Sequence, residues 1–293
     1  MILVFGSINV DVLVPVPVLP QPGETVLGGD YALLPGGKGA NQALAARRAG
    51  ASVMLAGAIG TDSFADLALQ SLRRDGVDLG LVRRVDRPTG CAAIMVDARG
   101  ENLIAVASGA NHAAAAASVP DSVLGRETIL VCQMEVPAAE NWALIARARA
   151  AGARVVLNLA PTALIDPALF GEIDILVANQ GEAAALGADP AALGRLLRQA
   201  FVVTSGNAGS TAFLADGGLI DTPALLIEPV DTTGAGDTFV GVLAAGLDGR
   251  LALPAALRWA SAAAGLACLA RGAQSAMPDR AAIDAAAARI SSD

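Results

Sequence analysis

The chain has 293 residues, of which 54% are hydrophobic and 3% aromatic, with a formal net charge of −8 and a single histidine, His112. That length suits one large α/β domain and is far beyond a disulfide-stapled miniature, while the acidic balance offers no basic field for a phosphate backbone and argues against nucleic acid as a partner. Cys91, Cys132 and Cys268 stand far apart in apolar settings without a paired spacing, which argues against a zinc site or a Cys–His nucleophile and predicts buried free thiols.

Much of the apolar content is alanine, and the Ala-rich stretches meet Arg, Asp, Gly or Pro before reaching the roughly 18–20 apolar residues of a membrane span. The opening MILVFGSINVD lacks a basic region and reaches Gly6, Asn9 and Asp11 too early for a secretory signal. A cytoplasmic protein with no membrane partner is expected.

In chain order, the first apolar run reads as a strand with Asn9 and Asp11 at its end, two apart and so on one face. Residues 12–35 carry four prolines between Pro15 and Pro22 and then GETVLGGDYALLPGG, a pattern of extended segments with turns. PGGKGANQA at 35–43 surrounds Lys38 with glycines ahead of a helix. It fails the phosphate-loop pattern, since Gly39 follows the lysine where Ser or Thr is required. Asn41, on the first turn of that helix, faces the same way as Lys38.

SVMLAGAIG is a strand. TDSFADLALQSLRRDG is a helix capped by Asp62 or Ser63, with Phe64, Leu67, Ala68 and Leu72 on one face and Gly76 as its stop. Residues 88–108 read as a hairpin around DARGEN, and AAAAA at 113–117 as a helix start. TILVCQME, ARVVLNLA, IDILVANQ and AFVVTSG are further strands, whose ends carry Glu135, Asn158, Asn179 and Thr204. Strands alternating with helices predict a mainly parallel sheet covered by helices, with ligands at the C-terminal strand ends. Segments 12–35 and 88–108 break the alternation; they suit a small sheet acting as a lid, or an ordinary edge hairpin.

Near the C-terminus, the apolar ALLIEP reads as a strand handing over through DTTGAGDTF to a helix. Gly, Thr and Asp there are turn and cap formers. The same residues open helix N–H groups to an anion and set an acid beside it for proton chemistry. Asn9, Asp11 and Glu135, with Lys38 and Asn41, suit a polyhydroxylated ligand.

GSINVD, PGETV, GGKGANQA, QMEVP, ANQGEA, TSGNAGS, DTTGAGDTF and RGAQSAMP, in this order from Gly6 to Pro278, resemble the ribokinase branch of the phosphofructokinase-B type carbohydrate kinases. The resemblance implies an α/β three-layer sandwich with a mainly parallel central sheet and a small β-sheet lid. It also implies ATP-dependent phosphorylation of D-ribose at its primary hydroxyl. Asp237 would be the general base, and the amides of Gly234, Ala235 and Gly236 the anion hole. Asn9, Asp11, Gly37, Lys38, Asn41 and Glu135 would hold the sugar. ATP would lie along Thr204, Gly206, Asn207 and Gly209, near Asn179 and Ser261.

Glu182 would organise Mg2+ through waters. Asp231, Thr233 and carbonyls near Ala267, Ala270 and Gly272 would hold a monovalent cation, K+. The chain departs from the family's pattern at Ser275, one place early in GAQSA, at Asn207–Ala208 in place of Ser–Arg or Ser–Lys, and at Ser261, where His often contacts adenine. The lid would pair two subunits into a homodimer. Rival readings are the same chemistry on deoxyribose, fructose or a nucleoside, which 3% aromatic content disfavours for the nucleoside, and a non-catalytic sugar sensor.

Overall fold

The computed structural model describes residues 1–290. Its first strand, β1 (Ile2–Phe5), ends after four residues because at Gly6 the chain passes tightly between two neighbours. A Cβ there would collide with the Gln133 side chain and lie 2.9 Å from the Gly39 Cα. The chain then enters a second sheet through β2 (Asn9–Pro15), which pairs with β3 (Ala32–Gly36). Asn9 and Asp11 therefore begin a second strand and do not end the first, although the alternation still puts both on one face.

Helix α1 (Lys38–Arg48) leads to β4 (Val53–Ile59), α2 (Phe64–Arg74) and β5 (Asp78–Arg84). Ser63 makes no side-chain cap for α2. Asp62 does that work: its carboxylate accepts from the Phe64 N–H at 3.0 Å and from the Thr89 N–H at 2.6 Å, tying the helix start to the chain entering the lid. The hairpin around DARGEN is present as β6 (Gly90–Val96) and β7 (Asn102–Ala107). Residues 113–117 form no α-helix; the chain makes short 3-10 turns at 109–113 and 116–118.

Next come β8 (Ile129–Cys132), α3 (Ala138–Ala150), β9 (Arg154–Asn158), β10 (Ile175–Asn179), α4 (Gln180–Ala185), α5 (Pro190–Leu196) and β11 (Ala200–Thr204). A hairpin of β12 (Ser210–Leu214) and β13 (Leu219–Thr222) precedes α6 (Ala235–Asp248), α7 (Leu253–Ala267), α8 (Ala273–Ala276) and α9 (Arg280–Ala287). The ALLIEP segment is not a strand. Pro223 has no N–H to continue the ladder, and the Val230 N–H turns instead to the Cys268 carbonyl at 2.8 Å.

The main sheet runs β13-β12-β11-β10-β9-β8-β1-β4-β5, parallel from β11 to β5, with the β12–β13 hairpin antiparallel at one edge. Ile2 and Val4 of β1 join the core beneath α1, α2, α6 and α7, while Leu3 and Phe5 join the one beneath α3. Burial on both faces is why these strands read as unbroken apolar runs. The chain builds outward from β1 on one side through β4 and β5, and returns to its other side with β8. Strand order thus reverses between β1 and β8, the place where open α/β sheets bind ligands.

The smaller sheet, β3-β2-β6-β7, stands over that point. The small sheet that segments 12–35 and 88–108 predict is present, starting at Asn9 and not at residue 12. Cys132 and Cys268 are buried free thiols, as expected, but Cys91 in β6 is only half-buried. Among the described residues no helix is long and apolar enough to cross a membrane.

Helices α1 and α6 cross at glycine distance. A Cβ on Gly241 would collide with the Gln42 carbonyl and come within 2.8 Å of the Ala45 Cβ. Gly241→Ala sets a helix-propensity gain of up to about 1 kcal/mol against an overpacking penalty of about 1–3 kcal/mol. The obstruction includes backbone, which cannot swing away, so a net loss of about 1–2 kcal/mol is expected from urea unfolding. A raised midpoint would contradict so close a crossing.

Candidate active site

A cavity of about 510 Å³ opens at the β1/β8 switch point under the lid. Asn9 and Asp11 reach it from β2, and Gly37, Lys38 and Asn41 from the start of α1. Glu135 follows β8, and Asp237 belongs to the first turn of α6. The lid contributes Ala92, Ile94, Ile104 and Val106 as an apolar roof. The six residues assigned to the sugar from sequence, and Asp237 as the expected base, all line this one space.

The start of α1 is pressed against the β1–β2 connection. Gly37 caps the helix at φ 89°, and a Cβ there would lie 2.7 Å from the Asn9 nitrogen. Glu135 Oε2 accepts from the Lys38 N–H at 3.1 Å and from Ser7 Oγ at 2.5 Å, and Ser7 Oγ accepts from the Gly39 N–H at 3.2 Å. An acid from β8 thus satisfies the first orphan donors of α1, where the helix dipole favours it. Its other oxygen is available to a ligand.

Asn9 is oriented by Asn111. Asn111 Nδ2 donates to Asn9 Oδ1 at 2.7 Å while Asn111 Oδ1 accepts from the Ile8 N–H at 2.9 Å. Asn9 must then present its N–H2 to the cavity as a donor. Asp11 and Glu135 beside it are acceptors, so the wall carries both halves of hydroxyl recognition.

Asp237 is 8% exposed. Its Oδ2 accepts from Asn41 Nδ2 at 2.9 Å and its Oδ1 from Gln42 Nε2 at 3.0 Å. Behind these amides stand two more: Gln274 Nε2 donates to Asn41 Oδ1 at 3.1 Å, and Gln133 Nε2 to Gln42 Oε1 at 2.8 Å. Sequence reasoning missed Ser7, Gln42, Asn111, Gln133 and Gln274. The three glutamines sit inside GGKGANQA, QMEVP and RGAQSAMP, and a glutamine in an apolar run was the signal available.

Three carboxylates share the cavity with one lysine. Burial, then the charges of Glu135 and Asp237, push the Asp11 carboxyl up to about 6 against the opposing pull of Lys38. Lys38 is raised above its ordinary value, chiefly by Asp237; burial opposes this, and Glu135, Glu182 and Asp11 add to it.

The nucleotide set lies along the neighbouring strand ends and does not line the sugar cavity. Asn179 and Thr204 end β10 and β11, and Gly206, Asn207 and Gly209 form the turn after β11. Ser261 is buried on α7, its Oγ donating to the Pro223 carbonyl at 2.7 Å. Asn179 and Glu182 form a capping box on α4, with bonds of 2.8 Å in both directions. Burial raises the Glu182 carboxyl; the Asn179 N–H and Lys38 oppose that, and Asp237 reinforces it. Only Glu182 Oε2 serves the cap, which leaves an oxygen for metal-bound water.

Gly234 is the αL N-cap of α6 at φ 76°, and a Cβ on it would press 2.7 Å from the Ala273 Cβ. A Cβ on Gly236 meets nothing within 4 Å. Gly234 is thus required by the fold, whereas Gly236 borders open space at the helix N-terminus, where an anion could approach. Asp231 ties the preceding turn: Oδ1 accepts from the Thr233 N–H at 2.9 Å and Oγ1 at 2.6 Å, and Oδ2 from the Gly272 N–H at 2.8 Å. Burial pushes its carboxyl up, but these bonds outweigh it and leave it below the ordinary range. Asp231 and Thr233 are therefore joined to Gly272, whose segment also carries Ala267 and Ala270.

Two outcomes are expected. Asp11 has its carboxyl raised on folding, so its contribution to stability is present below its ordinary range and lost as pH rises through about 6. Asp11→Asn should be more stable than the parent at pH about 8, by at most about 3 kcal/mol, with the gap closing near pH about 4 in urea titrations. Gly236→Ala should fold normally but raise the KM for ATP or lower kcat at least about tenfold, whereas Gly234→Ala should lose stability first. Equal thermal stability of the two variants would contradict the different roles.

A family model described as pfkB family carbohydrate kinase matches residues 1–280. The ribokinase of Haemophilus influenzae is 34% identical over 94% of this chain and 95% of its own, and that of Bacillus subtilis 34% identical over 95% and 96%. Among solved structures, Arabidopsis thaliana ribokinase complexed with ribose and ATP superposes with a TM-score of 0.88 at 31% identity, covering 98% of both chains. The Thermotoga maritima ribokinase reaches 0.90 at 29% identity over 97% of this chain and 98% of its own. With the switch-point cavity, the open N-terminus of α6 and likeness along nearly its whole length, this chain belongs to the pfkB family of carbohydrate kinases.

Proposed function

We propose that the chain is an ATP-dependent kinase that phosphorylates D-ribose at its primary hydroxyl, giving ribose 5-phosphate and ADP. The observation that carries this is the place of Asp237: a buried carboxylate lining the sugar cavity, on the first turn of the helix whose N-terminus borders the open space at Gly236. Ribokinases at 34% identity over nearly the full chain support ribose as the sugar.

Asn9 donates to sugar oxygens, and Asp11 and Glu135 accept from its hydroxyls. The primary hydroxyl rests on Asp237. As the hydroxyl oxygen bonds to the γ-phosphorus, the bond from phosphorus to the β–γ bridging oxygen breaks, ADP leaves with that electron pair, and Asp237 takes the hydroxyl proton. In a loose transition state the proton leaves late, so the placement of the carboxylate matters more than its basicity. The amides of Gly234 and Gly236 stabilise charge on the transferring oxygens at a helix N-terminus worth about half a positive charge; the Ala235 N–H, expected to join them, donates to the Thr232 carbonyl at 3.2 Å.

The nucleotide lies along Asn179, Thr204 and the Gly206–Gly209 turn, with its adenine toward Ser261. Ser261 cannot offer its proton there, since the Pro223 carbonyl holds it; its Oγ can serve adenine only as an acceptor. Mg2+, when bound, would supply charge neutralisation to the phosphates, and Glu182 would hold its waters. K+ would be held beside Asp231 and the 267–272 segment and would supply a fixed charge at the turn into α6; Ser275 Oγ donates to the Arg271 carbonyl at 2.8 Å and keeps its lone pairs. The lid leaves β7 as an open edge with Leu103, Ile104 and Val106 45–56% exposed. Pairing with a second copy removes that liability, and we propose a homodimer of cytoplasmic subunits.

ADP release with ribose, deoxyribose, fructose and nucleosides should be fastest by kcat/KM with ribose; a better alternative would replace the substrate. Asp237→Asn should lower kcat by about 10²–10⁴-fold, and retention of most of kcat would remove the base assignment. Exchanging sodium for potassium should change the rate. An unchanged rate would take the monovalent cation out of the mechanism.

A further inference from the structure

The carboxylate of Asp237 has a second support that never meets the substrate. Gln42 is 0% exposed and does not line the cavity, yet its Nε2 donates to Asp237 Oδ1 at 3.0 Å. Gln133, also 0% exposed, donates to Gln42 Oε1 at 2.8 Å. We propose that Gln42, held by Gln133, is a positioning residue for phosphoryl transfer: a buried amide relay that fixes the plane of the Asp237 carboxylate against the sugar hydroxyl. The proposal rests on the reading of Asp237 as the base.

The polarity of the relay is forced by chemistry. A carboxylate only accepts, so Gln42 must turn its N–H2 toward Asp237 and its carbonyl away. That carbonyl then needs a donor, and Gln133 supplies one. Asn41 and Gln274 repeat the pattern on Oδ2, with Asn41 at the cavity wall. The two oxygens are thereby gripped by neighbouring residues of α1, and the carboxylate cannot rotate about its Cβ–Cγ bond without breaking a charge-assisted bond.

Each oxygen retains a lone pair. Oδ2 and Oδ1 together can accept about four bonds and the protein uses two. An acceptor for the hydroxyl proton remains, aimed by the relay. Gln133 reaches Gln42 from just beyond β8, so the same strand end that places Glu135 on the sugar also places the base. Substrate binding and base alignment share one anchor.

A structural polar contact and a positioning relay respond differently when both partners become apolar. Replacing a buried pair with groups of similar shape can leave stability almost unchanged, but it cannot restore the grip on Asp237. The test uses Gln42→Met, Gln133→Met and the double variant in the full chain, with kcat, the KM values for ribose and ATP, and Tm measured for each. Asp237→Asn is assayed beside them.

Gln42→Met should lower kcat by about 10–100-fold with both KM values within about twofold, since misplacement of a reacting group by about 1 Å has effects of that order. Gln133→Met should lower kcat by a smaller factor, because Gln42 stays but loses its anchor. The double variant should recover Tm toward the parent while its kcat stays at the Gln42→Met level. Recovery of kcat along with Tm, or unchanged kcat in Gln42→Met, would overturn the relay.

Should Gln42→Met fail to fold, Gln133→Met decides: a kcat loss at constant KM supports the proposal, and parental kcat overturns it. Full activity of Asp237→Asn would instead sink the base assignment beneath it. A collapse in Asp237→Asn with parental kcat in both glutamine variants would sink the relay alone.

Discussion

Asp237 can remain a buried carboxylate only because α1 runs close enough to α6 to offer it two amide donors. Leaving a charge at 8% exposure without partners would be prohibitive. Its supply fixes much else. Gly241, one helical turn beyond Asp237 on the same face, must be small so that the Gln42 carbonyl and Ala45 can approach. Arg48 at the far end of α1 donates to the carbonyls of Gln274 at 2.6 Å and Met277 at 2.9 Å, which holds the segment that carries the Gln274 amide. At the near end, a Cβ on Gly39 would lie 2.6 Å from the Ser7 nitrogen, so α1 also touches the β1–β2 connection at backbone distance. Asp237 is positioned by helix packing, which suits its proposed role as a base whose geometry matters more than its affinity for a proton.

The cavity works against the fold that builds it. Asp11, Glu135 and Asp237 face one lysine, and the elevation of the Asp11 carboxyl reflects burial together with repulsion from its two neighbours. A ligand with several hydroxyl groups donates to the carboxylates and partly replaces the water they lost. A neutral sugar bound as proposed would relieve the conflict among these acids, and the raised Asp11 carboxyl is a cost in stability at the site of the proposed binding. Asp11 belongs to the lid strand β2 while Lys38, Glu135 and Asp237 belong to the main body. Repulsion among the acids acts between lid and body, and ligand hydroxyls between them turn it to attraction.

The architecture was largely legible because its strands are buried on both faces and so appear as apolar runs ending in polar residues. Asn179 and Thr204 stood out for that reason. The misread stretches were decided by tertiary contacts. The Phe5–Asn9 passage looked like one strand since nothing local announces that Gly6 lies against Gly39 and Gln133. AAAAA favours helix by propensity, but the run is short for nucleation, and the Ala116 N–H is taken by Glu140 Oε2 at 2.7 Å. ALLIEP has strand composition, and loses its ladder to Pro223 and to the end of α7. Of the site, the groups that face the ligand carried a motif signal. The groups that hold them, Asn111 and the glutamines, received no role because their partners lie 91 to 233 residues away, although the glutamines stood inside the motifs.

Turn chemistry and site chemistry are often set against each other as rival explanations of a polar loop, and here the same atoms serve both. Glu135 ends the orphan donors of α1 with one oxygen and lines the cavity with its carboxylate; Glu182 closes the capping box of α4 with one oxygen and keeps the other. A helix N-terminus gives an acid a fixed direction and favours its charged form, which is what a carboxylate needs before it can bind hydroxyl or metal-bound water. The two aspartates of DTTGAGDTF separate on the same ground. Asp231 takes its donors from Thr233 and from a backbone N–H across the gap at Gly272, so it closes a loop. Asp237 takes both of its donors from side chains of another helix, leaving its own backbone to the N-terminal turn of α6 and its remaining lone pairs to the cavity. Which elements supply the hydrogen bonds to each acid, more than the acid's place in the motif, separates the loop-closing aspartate from the one proposed to react.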